Sequence, residues 1–253
     1  MFTYGMESLL YLCGTEYLLE PVATNRLWRK ERSIIMKPDF IQLNRLIMPQ
    51  FIYVIDPMCS WCWAFQPASQ TLKNHFPDFD WLYLMGGLAP DSEQPMPAEQ
   101  QQQIQSIWKH IEQQTGTRFN HDFWTKNTPR RSTYPACRAV ISAEKMHQGC
   151  GIKMIEAIQT AYYLDAKNPS EPNVLLQLAS ELNLNGEKFS QLLNCNEINE
   201  ALETEINYSH KLGAQGFPSL FMKRNNTIYP LAYGFSSADK MISRVEEYLA
   251  GTE

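Results

Sequence analysis

Apolar residues change their spacing several times along the chain, and each change predicts a different element. Phe51-Ile52-Tyr53-Val54-Ile55 is an unbroken β-branched and aromatic run that stops at Asp56-Pro57. That composition predicts a short buried strand followed by a turn or helix start. A helix is expected next, to about His75, and Trp81 to Met85 then reads as a second apolar strand halted by Gly86-Gly87. Two strands joined by one helix predict a βαβ unit.

Further along, the period lengthens. Pro97 stands where a first helical turn tolerates proline, Ile104, Ile107, Trp108 and Ile111 recur at i, i+3, i+4 and i+7, and Gly116 closes the stretch. Pro135 opens another helix, carrying Ala136, Ala139, Val140 and Ala143 to near Gly149. Helices are expected over 152–166, stopped by Asn168-Pro169, and then over 173–182, 187–193 and 197–212. Strand character returns in Pro218 to Met222, turns at Asn225-Asn226 and is answered by Ile228 to Tyr233. A final helix, with Ser236 and Asp239 placed as a cap pair, carries Met241, Ile242, Val245 and Leu249 to Gly251. The order β-α-β, helices, β-β-α predicts an α/β fold. Residues 49–95 and 213–253 form one unit, 96–212 an all-helical subdomain inserted in it, and 1–48 an N-terminal extension without a motif. Met6, Met36 and Met48 leave the true start open.

Composition narrows the classes. The chain has 253 residues, 22 Lys plus Arg against 27 Asp plus Glu and a net charge of −5, whereas a nucleic-acid binder would show a basic footprint. At 44% hydrophobic and 19% charged residues it is an ordinary globular chain. No stretch is long and apolar enough to span a bilayer, and Glu7, Glu16 and Glu20 break any secretory signal. The expected compartment is the cytoplasm, where thiols stay reduced and a functional cysteine pair is catalytic or metal-binding rather than structural. Six cysteines are too few for a disulfide scaffold.

Cys59 and Cys62 are separated by two residues at the start of a helix that directly follows a buried strand. This spacing puts both sulfurs on one face, with the first among unpaired N–H groups and the positive end of the helix dipole. It points to thiol–disulfide exchange, with Cys59 as nucleophile and Cys62 resolving the mixed disulfide. A zinc site would need four ligands, for which His147 and Cys150 are the only half-site in reach; no metal is expected. Cys137 and Cys150 read as small buried hydrophobes or as a second, regulatory disulfide, and Cys13 and Cys195 have no task. Asp56 either shuttles a proton to Cys62 or favours the helix start. Trp61, Trp63, Phe65 and Phe217 form an apolar rim for substrate or pack as core. His75, His110, His121, His147 and His210 read as surface residues.

The run Ile55-Asp56-Pro57-Met58-Cys59-Ser60-Trp61-Cys62-Trp63 resembles the active site of the DsbA-like branch of the thioredoxin superfamily, in particular its FrnE-like, predicted cytosolic protein-disulfide isomerase group. Gly216-Phe217-Pro218-Ser219-Leu220 is similar to the second signature of that superfamily, and 129–138, Pro-Arg-Arg-Ser-Thr-Tyr-Pro-Ala-Cys-Arg, to a motif of the group. Together the three cover about 50–250 in the right order. The resemblance implies a thioredoxin fold with a helical insertion, Cys59 and Cys62 as redox pair, and Pro218 as a cis-proline holding an extended substrate. It implies protein or small-molecule thiols and disulfides as partners, with glutathione as a candidate co-substrate and no bound cofactor, nucleic acid or membrane. Thr133, Ala136 and Arg138 echo glutathione-linked isomerases of the superfamily, which carry serine in place of the first cysteine. A glutathione-dependent isomerase or transferase and a chaperone-like binding module are the alternatives. Ser60-Trp61 between the cysteines lacks the histidine or proline of well-known members, so relatives give no redox potential.

Overall fold

The computed structural model describes residues 48–251; the expectations for the N-terminal extension, Cys13 included, lie outside them. Four strands form one mixed sheet: β1 (Gln50–Ile55), β2 (Asp80–Met85), β3 (Ser219–Arg224) and β4 (Thr227–Tyr233), in the order β2-β1-β3-β4. β1 pairs parallel to β2, with Gln50 opposite Asp80 and Ile55 opposite Met85, and antiparallel to β3, with Gln50 opposite Lys223 and Val54 opposite Ser219. A strand covered on both faces needs apolar side chains throughout, which is why Phe51 to Ile55 shows no alternation. Phe51, Tyr53 and Ile55 enter the main core, while Ile52 and Val54 meet Leu84 and Phe221 on the other face.

Helix α1 (Ser60–His75) crosses from β1 to β2, and α9 (Ala238–Ala250) packs beside it. The hairpin between β3 and β4 closes through Asn225 and Asn226, both in the left-handed region at φ 48° and 64°, as a two-residue turn of matching twist requires. Pro230 sits in edge strand β4 next to a register shift, where the missing N–H is tolerated. The final helix is entered through Ser237, without a side-chain cap bond; the expected cap by Ser236 is therefore one residue early.

Between β2 and β3 run α2 (Ala98–Thr115), α3 (Phe123–Lys126), α4 (Tyr134–Met146), α5 (Cys150–Tyr163), α6 (Pro172–Glu181), α7 (Gly186–Leu193) and α8 (Asn196–Lys211). Gly116, at φ 73°, ends α2 with its N–H on Glu112. Gly149, expected to end α4, instead begins α5 at φ 82°. Trp108 organises this region: Phe119 and Trp124 lie 4.9 Å from its ring, Tyr163 5.5 Å and Tyr162 5.6 Å. Helix α8 returns to the sheet, where Tyr208 and Leu212 cover Ile52 and Val54.

The segment after β2 is laced to the segment before α4. Met96 N–H donates to Pro129 O at 2.7 Å, Thr133 N–H to Ala89 O at 2.9 Å, and Ala89 N–H to the Thr133 hydroxyl at 3.0 Å. These bonds fix the helical insertion against the loop that faces the cysteines. Among the described residues no helix is long and apolar enough to cross a membrane.

Candidate redox site

Cys59 is the residue immediately before α1, its backbone still extended at φ −84° and ψ 116°. Its N–H donates to Asp56 O at 3.0 Å and its carbonyl accepts from Trp63 N–H at 3.1 Å, so it joins the turn after β1 to the first turn of the helix. The thiol donates to the Phe217 carbonyl at 3.7 Å, across 158 positions of sequence. That carbonyl belongs to the Phe217–Pro218 peptide, which is cis. Sheet pairing of β1 with β3 produces the approach: each motif flanks the same end of neighbouring antiparallel strands.

The two thiols differ in access. Cys59 borders an open cleft, whereas Cys62, one turn inside α1 and 1% exposed, borders only a small chamber on the far side, shared with Tyr53 and Gln159. Burial, and then the neighbouring Cys59, push the Cys62 thiol well above its ordinary value. Tyr53, buried against both cysteines, is likewise pushed up.

Asp56 is fully buried, and burial raises its carboxyl while the donors around it pull the other way. It accepts from Met58 N–H at 2.8 Å, Leu88 N–H at 2.7 Å, the Thr133 hydroxyl at 2.6 Å and the Cys137 thiol at 3.5 Å. The bond to Met58 orders the turn into α1, in keeping with the helix-start expectation. The others tie that turn to the loop after β2 and to the start of α4, a linkage no spacing in the sequence announced. Gly86 matters for a steric reason. A Cβ there would fall 1.9 Å from the ring of Phe217, so only glycine lets that ring settle beside Pro218. The sequence offered this residue merely as a strand terminator.

A cleft of about 350 Å³ opens beside Cys59, lined by Trp61, Phe217, Ile104, Ile107, Arg130 and Arg131 among others. Trp61 packs tilted against Phe235, ring centres 5.7 Å apart, and is half-buried. Trp63 instead stacks on Tyr163 and donates from its indole N–H to Arg118 O at 3.1 Å, and Phe65 is wholly in the core. Two of the four aromatics thus line the cleft and two serve packing.

Other expected residues fall elsewhere. Arg138 makes a paired bond to Asp91, at 2.7 and 2.8 Å, and Ala136 is buried; neither borders the cleft. Cys137 and Cys150 are both free thiols. The helix that separates them ends at Met146, and no bond joins the two thiols. His147 is exposed and accepts through its carbonyl from Cys150 N–H at 3.0 Å, a tight turn remote from Cys59; among the described residues no three metal-ligating side chains cluster.

A family model of the DSBA-like thioredoxin domain matches residues 51–245. Among curated proteins, the ClpXP adapter protein SpxH of Bacillus subtilis is 24% identical over 174 residues, 68% of this chain and 58% of that protein. This chain thus spans less than two thirds of that relative. Among solved structures, one from Nitrosomonas europaea shares the fold, with a TM-score of 0.72 at 23% identity over 81% of this chain and 100% of that one. The cytosolic disulfide reductase DsbM from Pseudomonas aeruginosa superposes with a TM-score of 0.66 at 25% identity, covering 80% of this chain and 100% of DsbM.

Proposed function

The chain belongs to the DSBA-like thioredoxin domain family, and on that footing we propose that it is a cytoplasmic thiol–disulfide oxidoreductase, a reductase or isomerase, working through Cys59 and Cys62. The observation that carries this reading is the division of the pair. One thiol stands at the floor of an open cleft, and the other is sealed one helical turn away. Cys59 attacks a substrate disulfide and expels the first sulfur as a thiolate, which takes a proton from solvent. Cys62 then loses its proton and attacks Cys59 Sγ, closing the Cys59–Cys62 disulfide and releasing the second substrate sulfur. Until the mixed disulfide forms, the raised affinity of Cys62 for its proton keeps it from competing as nucleophile. Phe217 and Pro218 hold the substrate chain, Trp61 supplies an apolar wall, and Asp56 positions the turn that carries Cys59. Whether reduction or isomerisation prevails depends on potential, about 30 mV being worth roughly 1.4 kcal/mol for a two-electron couple.

The test is turnover of insulin and of 2-hydroxyethyl disulfide by three proteins. Cys59→Ser is expected to abolish turnover of both, and Cys62→Ser to accumulate a mixed disulfide on Cys59, visible by mass spectrometry. Full turnover by Cys59→Ser would overturn the assignment. The likeness to SpxH adapters favours a second reading, a protein-binding module; it predicts that a Cys59→Ser/Cys62→Ser double variant still retains a client protein that the wild type binds.

A further inference from the structure

We propose that Arg131 anchors a carboxylate of the substrate, so that the cleft takes small acidic thiols and their disulfides in preference to disulfides of folded proteins; this rests on the redox role proposed above for Cys59.

The motif at 129–138 supplies the residues. Arg130 is bridged to Glu93 and Glu171, each at 2.7 Å, and donates to Ser170 O at 2.9 Å. Thr133 and Cys137 are engaged with Asp56, and Arg138 with Asp91. Each of these polar side chains has a partner that serves the fold. Arg131 alone among the three arginines has, among the described residues, neither a carboxylate nor a hydrogen-bond acceptor. It is half-buried and lines the same cleft as Cys59.

A guanidinium partly withdrawn from water, without a counterion, presents its planar fork of donors to whatever enters, and that fork matches a carboxylate. Among the described residues no acidic side chain lines the cleft, although the chain carries a net charge of −5. With Arg130 neutralised by Glu93 and Glu171, Arg131 is the unpaired charge of the cleft among the described residues. Tyr162, beside Arg131, stays a neutral hydroxyl because burial pushes it up more than the arginine draws it down.

Size suits a small substrate. Cys59 is only 7% exposed, and Ile104, Ile107 and Trp108 of α2 with Arg130, Arg131 and Thr133 line the cleft it borders. A cleft of about 350 Å³ accommodates a small flexible ligand against that sulfur. For an acidic disulfide RSSR the steps balance. Cys59 thiolate forms Cys59–S–S–R and expels RS⁻, and Cys62, giving its proton to solvent, forms Cys59–Cys62 and expels the second RS⁻. Two protons from solvent complete two RSH; the pair is oxidised by two electrons and RSSR is reduced.

The experiment measures kcat/KM of the reduced full chain for glutathione disulfide, cystamine and insulin. Glutathione disulfide carries carboxylates, cystamine only ammonium groups. In Arg131→Gln the ratio of glutathione disulfide to cystamine is expected to fall about 10- to 100-fold, the usual scale of a charge-assisted pair, with Arg131→Lys falling less. In the wild type, glutathione disulfide should outpace insulin, and salt should slow it but not cystamine; this arm holds even if the glutamine variant does not fold. A ratio that moves less than about twofold, or faster turnover of insulin, would overturn the proposal while leaving the redox pair intact. A wild type that reduces none of the three would overturn the redox reading itself, and this one with it.

Discussion

Glu205 shows how one buried side chain shapes behaviour beyond the cysteines. It accepts from Met85 N–H at 2.6 Å at the end of β2, and burial raises its carboxyl from 4.5 to about 7, against the pull of that bond. Between those values the folded chain holds a proton that the unfolded chain has lost. The stability this contributes is therefore full below about 4.5 and is lost as pH rises through about 7. Glu205→Gln keeps an acceptor for Met85 and cannot ionise. Its melting temperature is expected to exceed that of wild type by a few degrees at pH 8 and to show no such gain at pH 5, with 1 kcal/mol worth about 2 to 4 °C at this size. An equal difference at both pH values would show that Glu205 ionises as an exposed carboxyl does. Residue by residue, the sequence made legible what is local. Cys59 and Cys62 lie within one turn, and spacing alone relates them. Gly86 and the contacts of Asp56 with Leu88, Thr133 and Cys137 act on groups 32 to 131 positions away, and nothing in their neighbourhood in the chain signals it.

At the scale of elements, α2 shows why a periodic stripe is incomplete information. Ile104, Ile107, Trp108 and Ile111 share a face, and all four would be expected in a core. Trp108 and Ile111 are buried among aromatics, but Ile107 is 41% exposed and, with Ile104, lines the cleft over Cys59. The stripe is wider than the core it covers, and its excess lines the cleft. Thermal melting of two variants distinguishes the fates. Trp108→Ala, which empties the centre of six ring contacts, should cost about 3 to 5 kcal/mol, whereas Ile107→Ser should cost under about 1 kcal/mol. Comparable losses would mean that Ile107 is core. Helix ends were the least legible. Gly149 signals a chain reversal in either reading, and only packing of α4 on α5 decides that it begins the second helix rather than ending the first.

For the whole molecule, the order of strands and helices sufficed to anticipate the α/β class and the helical insertion, because a parallel pair demands a crossover and a strand buried on both faces cannot alternate. The lacing between the segment after β2 and that before α4 was not legible, since it consists of backbone bonds between irregular stretches. That lacing places the insertion over the cysteines and makes the cleft a property of both parts. The central claim is that Cys59 and Cys62 form one reversible two-electron couple while the other described cysteines do not take part. Equilibration of the full chain in glutathione redox buffers, with alkylation and mass spectrometry of each cysteine, tests it most directly. The account predicts that Cys59 and Cys62 lose reactivity together along a single two-electron curve, with Cys137, Cys150 and Cys195 still alkylated as free thiols. A pair that remains dithiol under every oxidising ratio, or a disulfide that joins Cys59 to any other cysteine, would contradict it.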